Sequence, residues 1–222
     1  MNWPAISPDG SSVAVDWRDP QTGLNDLWLH DLTRGTASRF TFTSWTSRYP
    51  VWSPDGSRLA FSSSREGRLT LYQKATSGSF QEDMLDKARQ VLPQDWSRDG
   101  RFLIEQVIDP KTGFDVWVLP LFGDRKPFPY LQTAFSERFA KLSPNGEWLA
   151  YSSDETKRTE VYVSDLSRAW RKMASLHEWR HSSRLEPGWQ TTLLHRCGSK
   201  NDGGRGEEPR RQIRGRRSEN SL

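Results

Sequence analysis

Cysteine is almost absent from this 222-residue chain. Cys197 is the only one, so no disulfide can form within the chain. No apolar run is long enough to cross a membrane, and Met1 to Trp3 lead into a repeated segment without the pattern of a signal peptide. As written, the chain is therefore expected to be cytoplasmic.

Catalytic signatures are also missing. The sequence contains no G-x-S-x-G nucleophile elbow, no kinase catalytic loop and no phosphate-binding glycine loop after a strand. His177 and His181 have a spacing that suits a metal on a helix, but His195 and Cys197 do not complete a zinc pattern. We expect no enzyme activity, no catalytic residue, no cofactor and no metal.

Positive charge is scarce over most of the chain, although the net formal charge is +4. Residues 1–167 contain 19 basic and 22 acidic side chains, whereas residues 168–222 contain 13 basic and 6 acidic ones. The main part of the chain therefore lacks the basic surface that nucleic-acid binding requires. A nucleic-acid partner is not expected.

One short pattern recurs throughout the first three quarters of the sequence. It is a tight turn in which proline or arginine precedes Asp or Asn and then glycine, and the glycine takes a left-handed backbone conformation. Its glycines are separated by 46, 44 and 46 residues, an interval typical of a four-stranded propeller blade. The turn residues are Ser7, Pro8, Asp9, Gly10; Trp52, Ser53, Pro54, Asp55, Gly56; Trp96, Ser97, Asp99, Gly100; and Ser143, Pro144, Asn145, Gly146.

Strand patterns surround each turn in the same order. An alternating strand follows the turn, a second turn leads to a third strand, and the first three repeats offer a fourth, outer strand, which runs from Thr36 to Thr43 in the first repeat. The sequence thus predicts an all-β fold, a partial β-propeller of about four blades over residues 1–166. The repeats lie near 4–43, 47–86, 91–131 and 137–166.

Tryptophan is abundant, and eight of its 11 copies precede residue 168. Large flat side chains on strands fill the wedge between neighbouring blades, so packing is the expected role for most of them. An exposed residue such as Trp45 also suits a binding platform, but the sequence does not favour that role.

The segment from Pro50 to Phe61, with its P-x-W-S-P-D-G-x-x-L-A-F pattern, resembles the TolB-like propeller repeats of WD-type architecture. The resemblance covers roughly residues 4–166. More narrowly, Asp115 to Phe128 and Leu149 to Glu155 look like the propeller that follows the kinase domain and membrane helix of some bacterial serine/threonine kinases. This resemblance implies a sensor or docking module of a larger parent, whose propeller can lie outside the cytoplasm.

Two functions follow from the resemblance. The first is a non-catalytic propeller for protein interaction or ligand sensing, with a protein or peptide partner. The alternative is the substrate-gating propeller of a prolyl-oligopeptidase-like serine peptidase. A kinase encoded upstream favours the first function, and a hydrolase with G-x-S-x-G encoded downstream favours the second.

The best candidate binding surface is a set of loops, because propellers present their inter-strand loops at the two ends of a central channel. Polar or charged residues recur in the loop between the second and third strand of each repeat. They are Asp19, Asn25, Arg65, Glu66, Asp109, Lys111, Asp154 and Glu155. Four blades also leave two faces and their strand edges unclosed, which predicts self-association.

From residue 167 to 222 the strand pattern stops. This basic segment is expected to be a disordered tail outside the propeller, or propeller sequence changed by a frameshift near Val163. In favour of the frameshift, codons that fit Leu185 to Gln190 give W-S-R-D-G after the loss of one base. The recovered glycine begins in Trp189, 43 residues after Gly146.

Overall fold

The computed structural model describes residues 3–42, 44–78, 81–166 and 192–193. These residues form four sheets of four strands, and in each sheet the strands neighbour one another in chain order. All the strand pairs are antiparallel. The prediction of an all-β, four-bladed partial propeller is confirmed.

Each blade is one sheet, numbered here from 1 to 4. Blade 1 contains β1 (Ala5–Ile6), β2 (Ser12–Arg18), β3 (Asn25–Asp31) and β4 (Thr36–Arg39). Blade 2 contains β5 (Ser47–Trp52), β6 (Arg58–Ser63), β7 (Thr70–Ala75) and β8 (Glu82–Asp86). Blade 3 contains β9 (Val91–Trp96), β10 (Phe102–Asp109), β11 (Gly113–Pro120) and β12 (Phe128–Leu131). Blade 4 contains β13 (Arg138–Leu142), β14 (Trp148–Ser153), β15 (Glu160–Asp165) and β16 (Thr192–Leu193).

The outer strand of blade 1 is shorter than the sequence predicted. It ends at Arg39 instead of Thr43. The N–H groups of Phe40 and Thr41 both donate to the carbonyl of Leu27, at 2.8 and 3.4 Å, so the regular ladder stops there.

The recurrent turn joins the first and second strands of every blade. In blade 2 the N–H of Gly56 donates to the carbonyl of Ser53 at 2.9 Å, and Gly56 has a φ of +70°. The Asp55 carboxylate accepts hydrogen bonds from the Ser53 hydroxyl and the Ser57 N–H. These bonds favour the charged form, so they lower the pKa of Asp55 to about 2. The turn aspartates therefore stabilise the turn by accepting hydrogen bonds from its own residues.

The core consists of three layers, one between each pair of consecutive blades. Ala14 and Leu27 of blade 1 meet Leu59 and Phe61 of blade 2 in the first layer. Leu71 of blade 2 packs with Val91, Trp96 and Leu103 of blade 3 in the second. Ile104 and Val116 of blade 3 pack with Leu149, Tyr151 and Tyr162 of blade 4 in the third. Burying one such large side chain contributes about 1.5–3 kcal/mol, so blade contacts dominate the stability.

The fourth strand of blade 4 comes from the segment that the sequence analysis placed outside the propeller. Thr192 and Leu193 pair with Val163 and Tyr162 of β15. The rest of 167–222 lies outside the described residues, and so do His177, His181, His195 and Cys197. The proposed frame change stays a prediction.

Candidate functional site

The innermost strands of blades 2 and 4 are bulged at the same place. Their registers with the second strands shift between Arg48 and Val51 and between Arg138 and Lys141. Within these bulges Tyr49 has a φ of 59° and Phe139 a φ of 55°. A bulky side chain in this left-handed region costs roughly 1–3 kcal/mol, a strain found most often at functional sites.

Both strained residues occupy one position of the repeat, seven residues before the turn glycine. Trp3 holds that position in blade 1 and Pro93 in blade 3. The centroid of the Trp3 ring lies 5.8 Å from that of Tyr49 and 5.9 Å from that of Phe139. We call Trp3, Tyr49 and Phe139 the channel aromatic cluster. It brings together side chains from blades 1, 2 and 4.

Hydrogen bonds from the second strands hold the cluster in place. The Trp3 N–H donates to Asp16 Oδ1 at 2.8 Å, and the Phe139 N–H donates to Gln106 Oε1 at 3.3 Å. Asp16 and Gln106 are themselves equivalent, six residues after their turn glycines. The fully buried Asp16 also accepts from Arg48 Nε at 2.8 Å. The two bonds differ in one respect, because Asp16 belongs to the same blade as Trp3, whereas Gln106 lies in blade 3 and Phe139 in blade 4.

A cavity of about 1060 Å³ lies along the inner strands, and the cluster lines it. The cluster forms its apolar wall together with Trp52, Pro93 and Trp96. Its polar wall contains Arg98, Arg138 and Lys141. Asp95, which also lines the cavity, accepts the N–H of Leu142 at 2.8 Å. An apolar cavity with a few polar groups is typical of a ligand site, and here the cations outnumber the acids.

The loop residues predicted from the sequence lie in or beside equivalent loops of the four blades, and two of their carboxylates hold their own turns. Asp19 Oδ1 accepts the N–H groups of Gln21 and Thr22 at 2.7 and 3.1 Å. Asp109 Oδ1 accepts those of Lys111 and Thr112 at 2.7 and 3.3 Å. These backbone hydrogen bonds, that of Lys111 above all, lower the pKa of Asp109.

Four of the other loop residues also have partners within the chain. Arg65 pairs with Glu82 and lies over the Tyr72 ring, 4.1 Å from its centroid. Asp154 Oδ1 accepts the Ser136 N–H at 2.9 Å. The contacts of the remaining two are the 3.5 Å bond from Tyr72 to Glu66 and the 3.5 Å bond from the Asn25 N–H to Thr46 Oγ1. A binding role for these loops stays a prediction.

Buried acids are a feature that the sequence analysis missed. Glu105, Asp115 and Glu137 each have at least one carboxylate oxygen without a hydrogen-bond partner. Burial raises the pKa of Glu105 to about 8 and that of Glu137 to about 7, and it also raises the pKa of Asp115. Aligning the repeats on their glycines would have exposed the first of these, because Glu105 aligns with Phe61 and Tyr151.

Comparison with known proteins supports the propeller. A family model of the TolB β-propeller domain (PD40) matches residues 1–193. The chain belongs to the TolB β-propeller family. The matched family describes a propeller and gives no support for a kinase domain.

Two curated relatives share part of this TolB-type chain. The uncharacterized peptidase YuxL of Bacillus subtilis (strain 168) is 32% identical over 109 residues, which are 47% of this chain and 17% of the relative. The uncharacterized protein Atu1656 of Agrobacterium fabrum (strain C58) is 31% identical over 86 residues, which are 39% of this chain and 29% of the relative. The chain thus spans less than a third of the length of either relative.

Solved structures show the same TolB-type fold. A putative TolB from Agrobacterium tumefaciens has a TM-score of 0.64 and 22% identity, and the likeness covers 73% of this chain and 60% of that one. A prolyl endopeptidase has a TM-score of 0.59 and 15% identity, and there the likeness covers 89% of this chain and 29% of that one. At these identities the likeness extends to the fold alone.

Two features are absent from the described residues. Within 3–42, 44–78 and 81–166, no three or more His, Cys, Asp or Glu side chains are grouped to hold a metal ion. No helix in the described part of the chain is long and apolar enough to span a membrane.

Proposed function

We propose that this TolB-type propeller is a non-catalytic module that binds a protein or peptide segment in the cavity along its inner strands. The observation that carries the proposal is the channel aromatic cluster, whose three members share one repeat position and converge on one cavity. Two of them are held at positive φ. Packing alone does not require strain at the same place in two blades.

The chemistry of the cavity indicates what kind of segment fits. The exposed faces of Trp3 and Phe139 suit an apolar or aromatic side chain. An aromatic side chain has few rotatable bonds, so it loses little conformational entropy when it stacks there. Arg98, Arg138 and Lys141 along the wall favour carboxylates nearby. The proposed ligand is therefore a peptide segment that combines apolar and acidic side chains.

Within a longer protein, the module would sense or dock a partner for another domain. The resemblance of Asp115 to Phe128 and of Leu149 to Glu155 to kinase-linked propellers supports a serine/threonine kinase as that parent. In such a parent, the propeller would lie outside the cytoplasm.

The second candidate is the substrate-gating propeller of a serine peptidase. It is favoured by the relative named as a peptidase, which is 32% identical over 109 residues, and by the fold shared with a prolyl endopeptidase. In that role the cavity would admit peptide substrates to a hydrolase domain. Sequencing the flanking DNA separates the two parents, since one requires a kinase upstream and the other a G-x-S-x-G hydrolase downstream.

Peptide binding is tested with a phage-displayed library of random peptides selected on the wild-type chain. Fluorescence polarisation then compares the selected peptides on wild type, Trp3→Ala and Trp45→Ala. Trp45 is an exposed tryptophan that does not line the cavity, so its variant is the matched control. We expect Trp3→Ala to weaken binding about tenfold or more and Trp45→Ala to leave it unchanged. Equal binding to all three proteins would refute the channel as the site.

A further inference from the structure

Every blade has two faces. The forward face is the one directed toward the next blade in chain order, and the backward face is the one directed toward the preceding blade. One forward-face position on the third strand is occupied by Leu27, Leu71, Val116 and Val161 in blades 1 to 4, as the strand pairings show. The first three are fully buried in the three core layers, whereas Val161 is 40% exposed. Among the described residues, no blade covers the forward face of blade 4, although the equivalent surface is covered in blades 1 to 3.

A second position agrees. Phe102 on the forward face of blade 3 is buried against blade 4, and its equivalent in blade 4, Trp148, is 45% exposed. Trp148 also bears on the role expected for the tryptophans. It occupies a wedge position as predicted, but the described chain places no blade on the other side.

The backward face of blade 1 is uncovered in the same way. Its Trp17 is 56% exposed, although the equivalent Ser63, Val107 and Ser153 are buried. Val13 is only half-buried, although the equivalent Leu59, Leu103 and Leu149 are fully buried. Within the described residues, the backward face of blade 1 and the forward face of blade 4 thus expose apolar side chains that are buried at every internal interface.

The three internal interfaces show what covers such a surface. In each of them a forward face receives the backward face of another blade, and small or branched side chains meet leucines and aromatic rings. The described part of each copy has one uncovered face of each kind. The two faces of one copy do not cover each other, since Trp17 and Trp148 both stay exposed.

We infer that the chain associates head to tail with a second copy of itself, the backward face of blade 1 docking on the forward face of blade 4. The contact reproduces an internal blade interface in register. It joins two different patches, so each added copy offers a free face and growth continues unless a ring closes. Trp17 and Val161 do not line the cavity, so blocking them leaves the proposed peptide site intact.

Two blocked variants test the inference by light scattering over a wide range of protein concentrations. Trp17→Lys blocks the blade 1 face and Val161→Lys the blade 4 face, and both sites are exposed enough to accept lysine. We expect wild type to grow with concentration and each variant alone to stay monomeric. An equimolar mixture should give a dimer and nothing larger, because it contains a single intact pair of faces.

Trp45→Lys is the matched control, since Trp45 is 48% exposed and lies outside both faces, and it should associate like wild type. If either blocked variant fails to fold, Val13→Lys replaces the first and Trp148→Lys the second, because Val13 is half-buried on the same face of β2 as Trp17 and does not line the cavity. A wild-type protein that stays monomeric would overturn the inference. So would a blocked variant that associates alone, or a mixture that stays monomeric or exceeds a dimer.

Discussion

Blades 2 and 3 fill the same position of their backward faces with opposite chemistry. In blade 2 Phe61 is fully buried and stacks on its cross-strand partner Tyr72, with 6.2 Å between ring centroids. In blade 3 the equivalent residue is Glu105, also fully buried and paired across the strands with Trp117. At this position, one interface therefore has an apolar side chain and the other encloses an ionisable group.

The surroundings of Glu105 do not compensate its charge. Both of its carboxylate oxygens lack a hydrogen-bond partner, and Arg89 Nη2 lies 3.8 Å from Oε2. Arg89 contacts Asp86 more closely. Burial, reinforced by Asp86 and opposed by Arg89, raises the pKa of Glu105 to about 8. The comparison teaches that burial at this position favours the protonated form of an acid, so we expect the stability of the interface between blades 2 and 3 to depend on pH.

The largest expected effect on stability comes from truncating Phe61, the apolar residue of this pair. Phe61→Ala leaves a cavity between blades 1 and 2 and should lower the free energy of unfolding by about 3–5 kcal/mol. Urea unfolding followed by circular dichroism measures the change. Phe135→Ala, at an exposed phenylalanine, is the control and should change stability by about 0.5 kcal/mol or less. Similar losses for both variants would show that the layer between blades 1 and 2 does not control unfolding.

The second prediction concerns the charged member. The folded state holds a proton on Glu105 up to about pH 8, whereas the unfolded chain releases it near the ordinary pKa of 4.5. Stability attributable to this group therefore falls as the pH rises through that window, by about 1.4 kcal/mol per unit. Between pH 6 and 7.5 this amounts to about 2 kcal/mol, which Glu105→Gln should abolish.

Urea unfolding at several pH values checks this difference between variant and wild type. Glu147→Gln, at an exposed glutamate, should retain the wild-type slope. Identical slopes for Glu105→Gln and wild type would mean that Glu105 is already ionised in the folded protein.

Much of the fold follows from the sequence, because the turn carries its own geometry. Proline and glycine fix the backbone around Asp55, and the alternation in the flanking strands fixes which residues face a neighbouring blade. The recurrence of that unit is what made the strand order predictable. The end of β4 was not predictable, because it depends on which N–H groups donate to the Leu27 carbonyl.

The channel was harder to predict than the blades. Nothing around Tyr49 or Phe139 signals a left-handed backbone, because neither position holds glycine or asparagine. The bulges result from how the inner strands pair, and the cluster forms only when blades 1, 2 and 4 come together. The polar composition of the loops drew attention to them instead, but polar residues there such as Asp19 hydrogen-bond within their own turns.

A smaller effect is expected at the junctions beside these loops. In blade 1 the buried Asp26 is paired with Arg39 at 2.5 Å, and Ser47 occupies the first position of the next blade. In blade 3 the equivalent Asp115 faces no such arginine, and Glu137 stands where blade 2 has Ser47. Burial, reinforced by Asp115, raises the pKa of Glu137 to about 7.

Glu137→Ser introduces the residue that blade 2 has at this position. In wild type the folded-state pKa of Glu137 is above the ordinary value of 4.5, so the free energy of unfolding falls between pH 4.5 and about 7. The variant lacks this group and should not show that loss. The variant should gain about 1 kcal/mol relative to wild type between pH 5 and 8, after allowance for solvent screening. Thermal melts at the two pH values measure the gain. If the stability difference between variant and wild type is the same at pH 5 and at pH 8, the prediction is wrong.

The smallest effect concerns a charge that is exposed. Asp55 and Asn145 are equivalent turn residues, and Asn145 Oδ1 accepts the Ser143 hydroxyl and the Glu147 N–H at 2.6 and 3.2 Å, as a carboxylate would. Hydrogen bonds, first from Ser53, lower the pKa of Asp55 to about 2. Its contribution is thus complete above the ordinary pKa of 3.8 and is lost as the pH falls through about 2.

Asp55→Asn should therefore leave stability at neutral pH nearly unchanged and make acid unfolding between pH 4 and 2 shallower. Asn145→Asp should make it steeper. Acid titration followed by tryptophan fluorescence compares the two variants with wild type. Unchanged acid profiles for both would mean that the turn carboxylates titrate alike in the folded and unfolded chain. Opposite shifts would show that the repeat accepts a charge where hydrogen bonds and water reach it, and that burial is what makes Glu105 costly.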